Sequence, residues 1–249
     1  MRRGLCGHDR APWVLKAIDT HVADKARRVC SCREAPVSVS SLDRRDAMST
    51  VGGSMGGMSW ETYPVTPDRF DDFADVVNPN RRGTHCWCLS HRLRAKDIEE
   101  LGGGDREQAM RQLCERENPP GVVTYLDGKP VGWCNIGARA DIPRLARSQL
   151  IRPVDSVPVW SIICVVVRSG HRRQGVTAHL IEGAIQYAAS RGAPAVEAYP
   201  VDPQGRMDTT MAFVGTRSMF DRAGFEIIGT ADALASKRPR LIMRRRLAD

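Results

Sequence analysis

The stretch that most limits what this chain can fold into is residues 157–184, "VPVWSIICVVVRSGHRRQGVTAHLIEGA". Its first half is an apolar run rich in β-branched residues, the pattern of a strand covered on both faces. Its second half puts Leu180, Ile181, Ala184, Ile185 and Ala188 on one face of a helix that Gly192 ends. Between them lies a turn containing Gly170 and Gly175. A strand buried on both sides needs neighbours along each edge and helices above and below. The expected fold class is therefore α/β, with a central mixed, twisted sheet flanked by helices.

The punctuation around this stretch supplies the neighbours. "ETYPVT" reads as a short strand, and "TPDRFDDFADVVN" as a helix capped by Thr66 with Pro67 first. "GGGDREQAMRQLCEREN" reads as a helix with Asp105 as its cap. "GVVTYL" and "KPVGWCNIGA" flank Asp127-Gly128, the pair that a two-residue type I′ hairpin turn favours. After the central helix come a strand in "APAVEAYPV", a helix in "TRSMFDRAG", and strands in "FEIIGT" and "PRLIMRRRL". The arginines of that last strand are expected to face solvent.

Residues 1–57 differ from the rest. They hold ten Lys or Arg against six Asp or Glu and end in the Gly/Ser-rich "MSTVGGSMGG". They are expected to be a basic, poorly ordered extension and linker, with a short amphipathic helix over 11–28, preceding a domain over 58–249. Met48, Met55 and Met58 also allow translation to begin later. Cys6, His8, His21, Cys30 and Cys32 match no tetrahedral zinc spacing, so no metal is expected.

Composition narrows the function classes. The longest uninterrupted apolar run, Ile162 to Val167, is far short of the ~20 residues a membrane span needs. The eight cysteines, with no secretory leader pattern at the start, point to reduced thiols and a cytoplasmic location. The 37 basic against 29 acidic residues give a formal charge of +8, which favours anionic partners without selecting nucleic acid among them.

The turn at 168–177 is where chemistry concentrates. A strand that runs through a glycine turn into a helix presents main-chain N–H groups at the positive end of a helix dipole, and such geometry binds phosphate. The dinucleotide fingerprint is absent there. "GHRRQGVT" has the spacing of a P-loop, but Val176 stands where that loop needs lysine. What fits is RxxGx[GAT], read as Arg172, Gly175 and Thr177. With the order of elements over residues 60 to 247 and the later "MFDRAGF", the chain here resembles the GNAT family of N-acetyltransferases. "THCWCLSHRL" with "GWCNIG" is similar to a bacterial, CWC-containing branch of that family whose acceptor is unassigned.

The resemblance implies acetyl-CoA as co-substrate. Amides across Arg172, Arg173, Gln174, Gly175, Val176 and Thr177 would face its pyrophosphate, and the main chain of Val165, Val166 and Val167 would pair with the pantetheine arm like an added strand. Acetyl transfer needs a neutral amine, so a proton acceptor is required. Glu197 in "AVEAYPV" is the candidate, against the alternative of an outward-facing surface glutamate. Phe220 stands where many family members place the tyrosine that protonates the leaving thiolate; Tyr199, Ser218 and Thr216 are the possible substitutes. Trp87, Trp133 and Tyr199 are candidates for an acceptor pocket or for core packing, and Cys86 and Cys88 for structural burial.

The expected activity is transfer of acetyl to a primary amine by direct attack on the thioester. Alternatives are an acetyltransferase for protein N-termini or aminoacyl-tRNA, and an acyl-CoA sensor without turnover. A homodimer is allowed, and a membrane is not expected as partner.

Overall fold

The structure, a computed structural model, describes residues 58–101, 105–203, 213–235 and 237–247. Every expectation placed on residues 1–57 lies outside them. Seven strands form one sheet in the order β1-β2-β3-β4-β5-β7-β6. They are β1 (Trp60–Pro64), β2 (Gly121–Leu126), β3 (Lys129–Ala138), β4 (Trp160–Val167), β5 (Ala195–Ala198), β6 (Glu226–Ala235) and β7 (Arg238–Arg246). Only β4 and β5 pair in parallel; every other neighbouring pair is antiparallel.

The β2–β3 hairpin turns at Asp127 (φ 48°) and Gly128 (φ 73°), both left-handed as a type I′ turn requires. The parallel β4–β5 pair needs a crossover, and the helix Val176–Ser190 provides it. Numbered in chain order, the helices are α1 (Phe70–Val77), α2 (Ala95–Leu101), α3 (Asp105–Cys114), α4 (Pro143–Ala146), α5 (Val176–Ser190) and α6 (Arg217–Asp221).

The sheet divides the core in two. On one face α5 lays Leu180, Ile181, Ala184 and Ile185 against Ile136, Ile162, Val165, Val196 and Ala198, with Phe220 and Phe225 closing the end. Gly183 brings this helix close to β1, since a Cβ there would collide with the Thr62 side chain. On the other face Phe73 of α1 meets Trp133 edge-on, at 4.6 Å between ring centroids, and Phe70 stacks on Trp87.

Three local expectations need correction. The helical segment begins as a short 3-10 turn at Pro67–Arg69 with Thr66 at the N-cap and Pro67 first, but the Thr66 hydroxyl accepts from Arg69 Nη1 and makes no capping bond. Asp105 is the first residue of α3 rather than its cap, and α2 before it has no counterpart among the elements expected from sequence. The arginines of β7 do not all face solvent. That strand lies between β5 and β6, both its faces are covered in part, and Arg244 is 6% exposed.

Gly183→Ala should therefore destabilise the protein by about 1–2 kcal/mol despite the better helix propensity of alanine, because overpacking against β1 outweighs that gain. Denaturant unfolding measures this; a neutral or stabilising result would mean that α5 does not lie that close to the sheet.

Candidate functional site

β4 pairs with β3 along its whole length, but with β5 only over Trp160–Ile162. From Ile163 to Val167 the edge facing β5 meets no described strand. The cause lies in the residues just after Ala198. Pro200 has no N–H to donate, and the chain is captured by β7 instead. Arg240 Nε donates to the Tyr199 carbonyl (2.7 Å), and the Leu241 N–H donates to the Pro200 carbonyl (2.8 Å). A register shift between Asn135 and Ile136 leaves Ile163 without a partner on β3 at the same point. The two parallel strands thus part at a fork.

At the far end of the open edge the chain enters the glycine turn. The Arg168 N–H donates to the Val131 carbonyl and the His171 N–H to the Arg168 carbonyl. Gly170, Arg173 and Gly175 all take positive φ (87°, 63° and 84°), and Gln174 Nε2 donates to the Gly170 carbonyl. α5 then begins at Val176, with Gly175 as its N-cap. No main-chain N–H from Arg172 through Thr177 donates to a described acceptor.

A helix leaves its first N–H groups unpaired, and alternation of right- and left-handed residues turns successive N–H groups toward a common point. The position of a Cβ on Gly175 has nothing within 4 Å, so the approach to these groups is open. Arg172 and Arg173 are exposed beside them. An anion would meet a helix dipole, unpaired donors and two guanidinium groups here. Val165, Val166 and Val167 pair with β3 on one edge and meet no described strand on the other, and the turn that carries Arg172 to Thr177 follows them in the chain.

Glu197 lies across the fork and is buried, at 2% exposure, rather than facing solvent. Its Oε1 accepts from Arg244 Nη2 (2.6 Å) and Nε (3.1 Å), and its Oε2 accepts from the Tyr199 hydroxyl (2.8 Å). Arg244 also donates both Nη atoms to Asp155. The Tyr199 oxygen in turn accepts from Arg139 Nη1 (2.6 Å) and lies 2.9 Å from Ser161 Oγ. Burial first, then the Glu197 charge, pushes the Tyr199 phenol well above its ordinary pKa. Both side chains are buried, Tyr199 at 1% exposure and Glu197 at 2%, and the Tyr199 hydroxyl links Glu197 to Arg139.

The other candidates for a proton donor are placed differently. Thr216 and Ser218 contact each other at 3.1 Å at the start of α6, and Phe220 is fully buried against Phe225. Trp87 and Trp133 are both 0% exposed and belong to the aromatic core described above. Hydrogen bonding to neighbouring thiols, and then burial, raises the pKa of Cys86 and Cys88, so both stay protonated. Among the described residues no group of three or more His, Cys, Asp or Glu could hold a metal ion, and no helix is long and apolar enough to cross a membrane.

Sequence reasoning missed Arg139, Arg244, Asp155 and Ser161, and also a cationic cluster beyond Tyr199. There Arg144 Nη1 donates to the Ser90 carbonyl, and the His91 ring stacks on Phe213 with centroids 4.0 Å apart. Burial, then the charges of Arg144 and Arg240, lower the His91 pKa to about 4.

A family model described as the Acetyltransferase (GNAT) family matches residues 90–209. No curated protein matches the chain. Several solved structures are similar to it. An acetyltransferase of the GNAT family from Streptococcus pneumoniae is 17% identical with a TM-score of 0.46, over 76% of this chain and 100% of its own. An N-acetyltransferase from Staphylococcus aureus Mu50 is 12% identical with a TM-score of 0.45, over 76% and 99%. The PaiA N-acetyltransferase from Thermoplasma acidophilum, in complex with coenzyme A, is 11% identical with a TM-score of 0.43, over 76% and 99%.

His91 gives a pH test of the cluster. Its folded pKa of about 4 lies below the 6.5 of an ordinary histidine, so its contribution to stability is fully present above pH 6.5 and is lost as pH falls toward 4. His91→Asn should flatten the acid limb of the stability profile by about 2 kcal/mol over that window. An unchanged limb would mean that His91 is neither buried nor facing cations.

Proposed function

Because the chain belongs to the GNAT acetyltransferase family, we propose that it is an acetyl-CoA-dependent N-acetyltransferase acting on a primary amine by direct attack on the thioester. The observation that carries this reading is the run of unpaired N–H groups from Arg172 to Thr177 at the start of α5, which follows the open edge of β4 in the chain. Coenzyme A has complementary parts: a pyrophosphate for the helix terminus, and an arm with two amides for a strand edge. From Val167 to Ile162 the edge runs about 16 Å at a rise of 3.3 Å per residue. An extended pantetheine arm covers that length, so the thioester would lie at the fork, beside Tyr199.

The face carrying α5 and α6 is closed by Leu180, Ile181 and Phe220. In this reading the amine approaches from the opposite face, where Tyr199 packs among Ile142, Leu145, Ile151 and Ile163. A lysine-like amine is mostly protonated at neutral pH, and reaching its neutral form costs roughly 4 to 5 kcal/mol. In the proposed step the amine nitrogen attacks the thioester carbonyl, the C–S bond breaks, and the departing thiolate carries the electron pair. Tyr199 takes the amine proton as its own hydroxyl proton passes to Glu197 Oε2. Glu197 thus acts through Tyr199 and positions it, with Arg244 fixing the carboxylate. Phe220 supplies no acid, but a thiol of pKa near 8.5 leaves without much help.

A second reading, an acyl-CoA-binding sensor without turnover, is favoured by Phe220 and by the ion pair that occupies Glu197. Acetylation of protein N-termini or aminoacyl-tRNA is the alternative within the enzyme class. Nothing in either reading needs a metal, and both place the protein in the cytoplasm.

Calorimetry with acetyl-CoA, followed by thiol release across a panel of amines, separates these readings. Heat with release supports the enzyme and heat without release supports the sensor; no heat and no thermal shift would defeat both. Replacing Arg172 and Arg173 together by alanine should weaken acetyl-CoA binding about tenfold, or 1.4 kcal/mol, and make binding less sensitive to salt. Tyr199→Phe should lower kcat about a hundredfold, the lower end for loss of a proton-transfer group, with acetyl-CoA affinity retained. An unchanged rate would remove Tyr199 from the mechanism.

A further inference from the structure

Charge around the fork is balanced in its interior and unbalanced at its mouth. Arg139 and Glu197 are linked through the Tyr199 hydroxyl, and Arg244 joins Glu197 inside to Asp155 at the surface. Outside that network stand Arg144 and Arg240, and among the described residues neither pairs with a carboxylate. Arg240 is fixed: its Nε holds the Tyr199 carbonyl, and its guanidinium lies 5.8 Å from the Tyr199 ring. No described acceptor meets its Nη atoms. Burial lowers its pKa to about 10, and the nearby Arg144 acts in the same direction. Arg144 is held at the Ser90 carbonyl, next to His91, whose ring stacks on Phe213, and the charges of Arg144 and Arg240 both act on His91.

A guanidinium that stays at the fork to hold it open, yet meets no carboxylate among the described residues, is a standing attraction for an anion. It is equally a repulsion for a polycationic acceptor. Resting on the acetyltransferase reading, we infer that Arg144 and Arg240 dock an anionic group of the acceptor, so that the substrate is a small amine bearing a carboxylate or a phosphate. His91, neutral above about pH 5, supplies one further donor beside the anion, and its ring on Phe213 walls the site. The anion fixes the far end of the acceptor and leaves its amine to reach Tyr199.

The test uses matched amines: amino acids against their amides, amino-alcohol phosphates against the free amino alcohols, and a polyamine. The anionic member of a pair should have a kcat/KM at least tenfold above its neutral partner, and the better of the two anionic series tells carboxylate from phosphate. Arg144→Gln, on an exposed side chain, should reduce that preference about tenfold through KM. Equal or better turnover of the neutral amines or the polyamine, or a preference that survives Arg144→Gln, overturns the inference while leaving the acetyltransferase reading intact.

If no amine is turned over, the full-length protein saturated with coenzyme A is titrated with N-acetylglycine and with N-acetylglycinamide while the His91 ring resonances are followed. A shift with the acid alone, lost in Arg144→Gln, upholds the anion site and removes the enzymatic reading. No shift, or equal shifts with both compounds, overturns the inference.

Discussion

The hydrogen bond from Arg240 Nε to the Tyr199 carbonyl, with the Leu241 N–H on the Pro200 carbonyl beside it, turns the chain after Ala198 onto β7 and holds β4 and β5 apart. A parallel pair that continued would bury its main-chain groups in a ladder. Here the ladder stops after three residues, and the edge of β4 from Ile163 onward meets no described strand on that side. Pro200 makes the departure irreversible, because its nitrogen has no proton to return to the sheet. The same strand then feeds the turn at Gly170–Gly175, so the open edge leads along the chain into the unpaired amides of α5. In the proposed function, an anionic head and an amide-bearing arm would occupy that region largely through main-chain contacts, with Arg172 and Arg173 adding charge.

Buried charge fixes the other half of the site. Glu197 and Arg244 are almost wholly enclosed, and their desolvation is offset only because each is satisfied on several sides. Removing one partner of such a pair typically costs about 3–5 kcal/mol, so neither residue is free to vary. In return, the Tyr199 hydroxyl is held by Glu197 and Arg139, with Ser161 in contact, and its ring cannot turn away from the fork. In the proposed mechanism, this arrangement lets a phenol take the place of a carboxylate that does not reach the acceptor. It also sets Arg240 and Arg144 apart as cations that the network does not neutralise.

How much was legible beforehand depended on whether a residue's role is local. The apolar run Ile162–Val167, the Asp127-Gly128 turn and the glycine at the mouth of α5 each announce their conformation through their neighbours in sequence, and each appears as expected. The mixed sheet and the family resemblance followed from the order of such signals. Arg244 is 47 residues from Glu197 and 89 from Asp155, and in sequence it is one member of an arginine run that looks solvated. Only its place on an interior strand buries it. Arg139 and Arg240 were missed for the same reason, since a charged side chain reads as surface until its partners are known. α2, seven residues of mostly polar sequence, carries too little periodicity to announce itself.

A crystal structure of the protein with coenzyme A tests the central claim most directly. The expected result is the diphosphate within hydrogen-bonding distance of main-chain N–H groups between Arg172 and Thr177, with the amides of the arm paired to the β4 edge between Ile163 and Val167. A diphosphate bound elsewhere, or a β4 edge closed by β5 with the arm outside the fork, would contradict it.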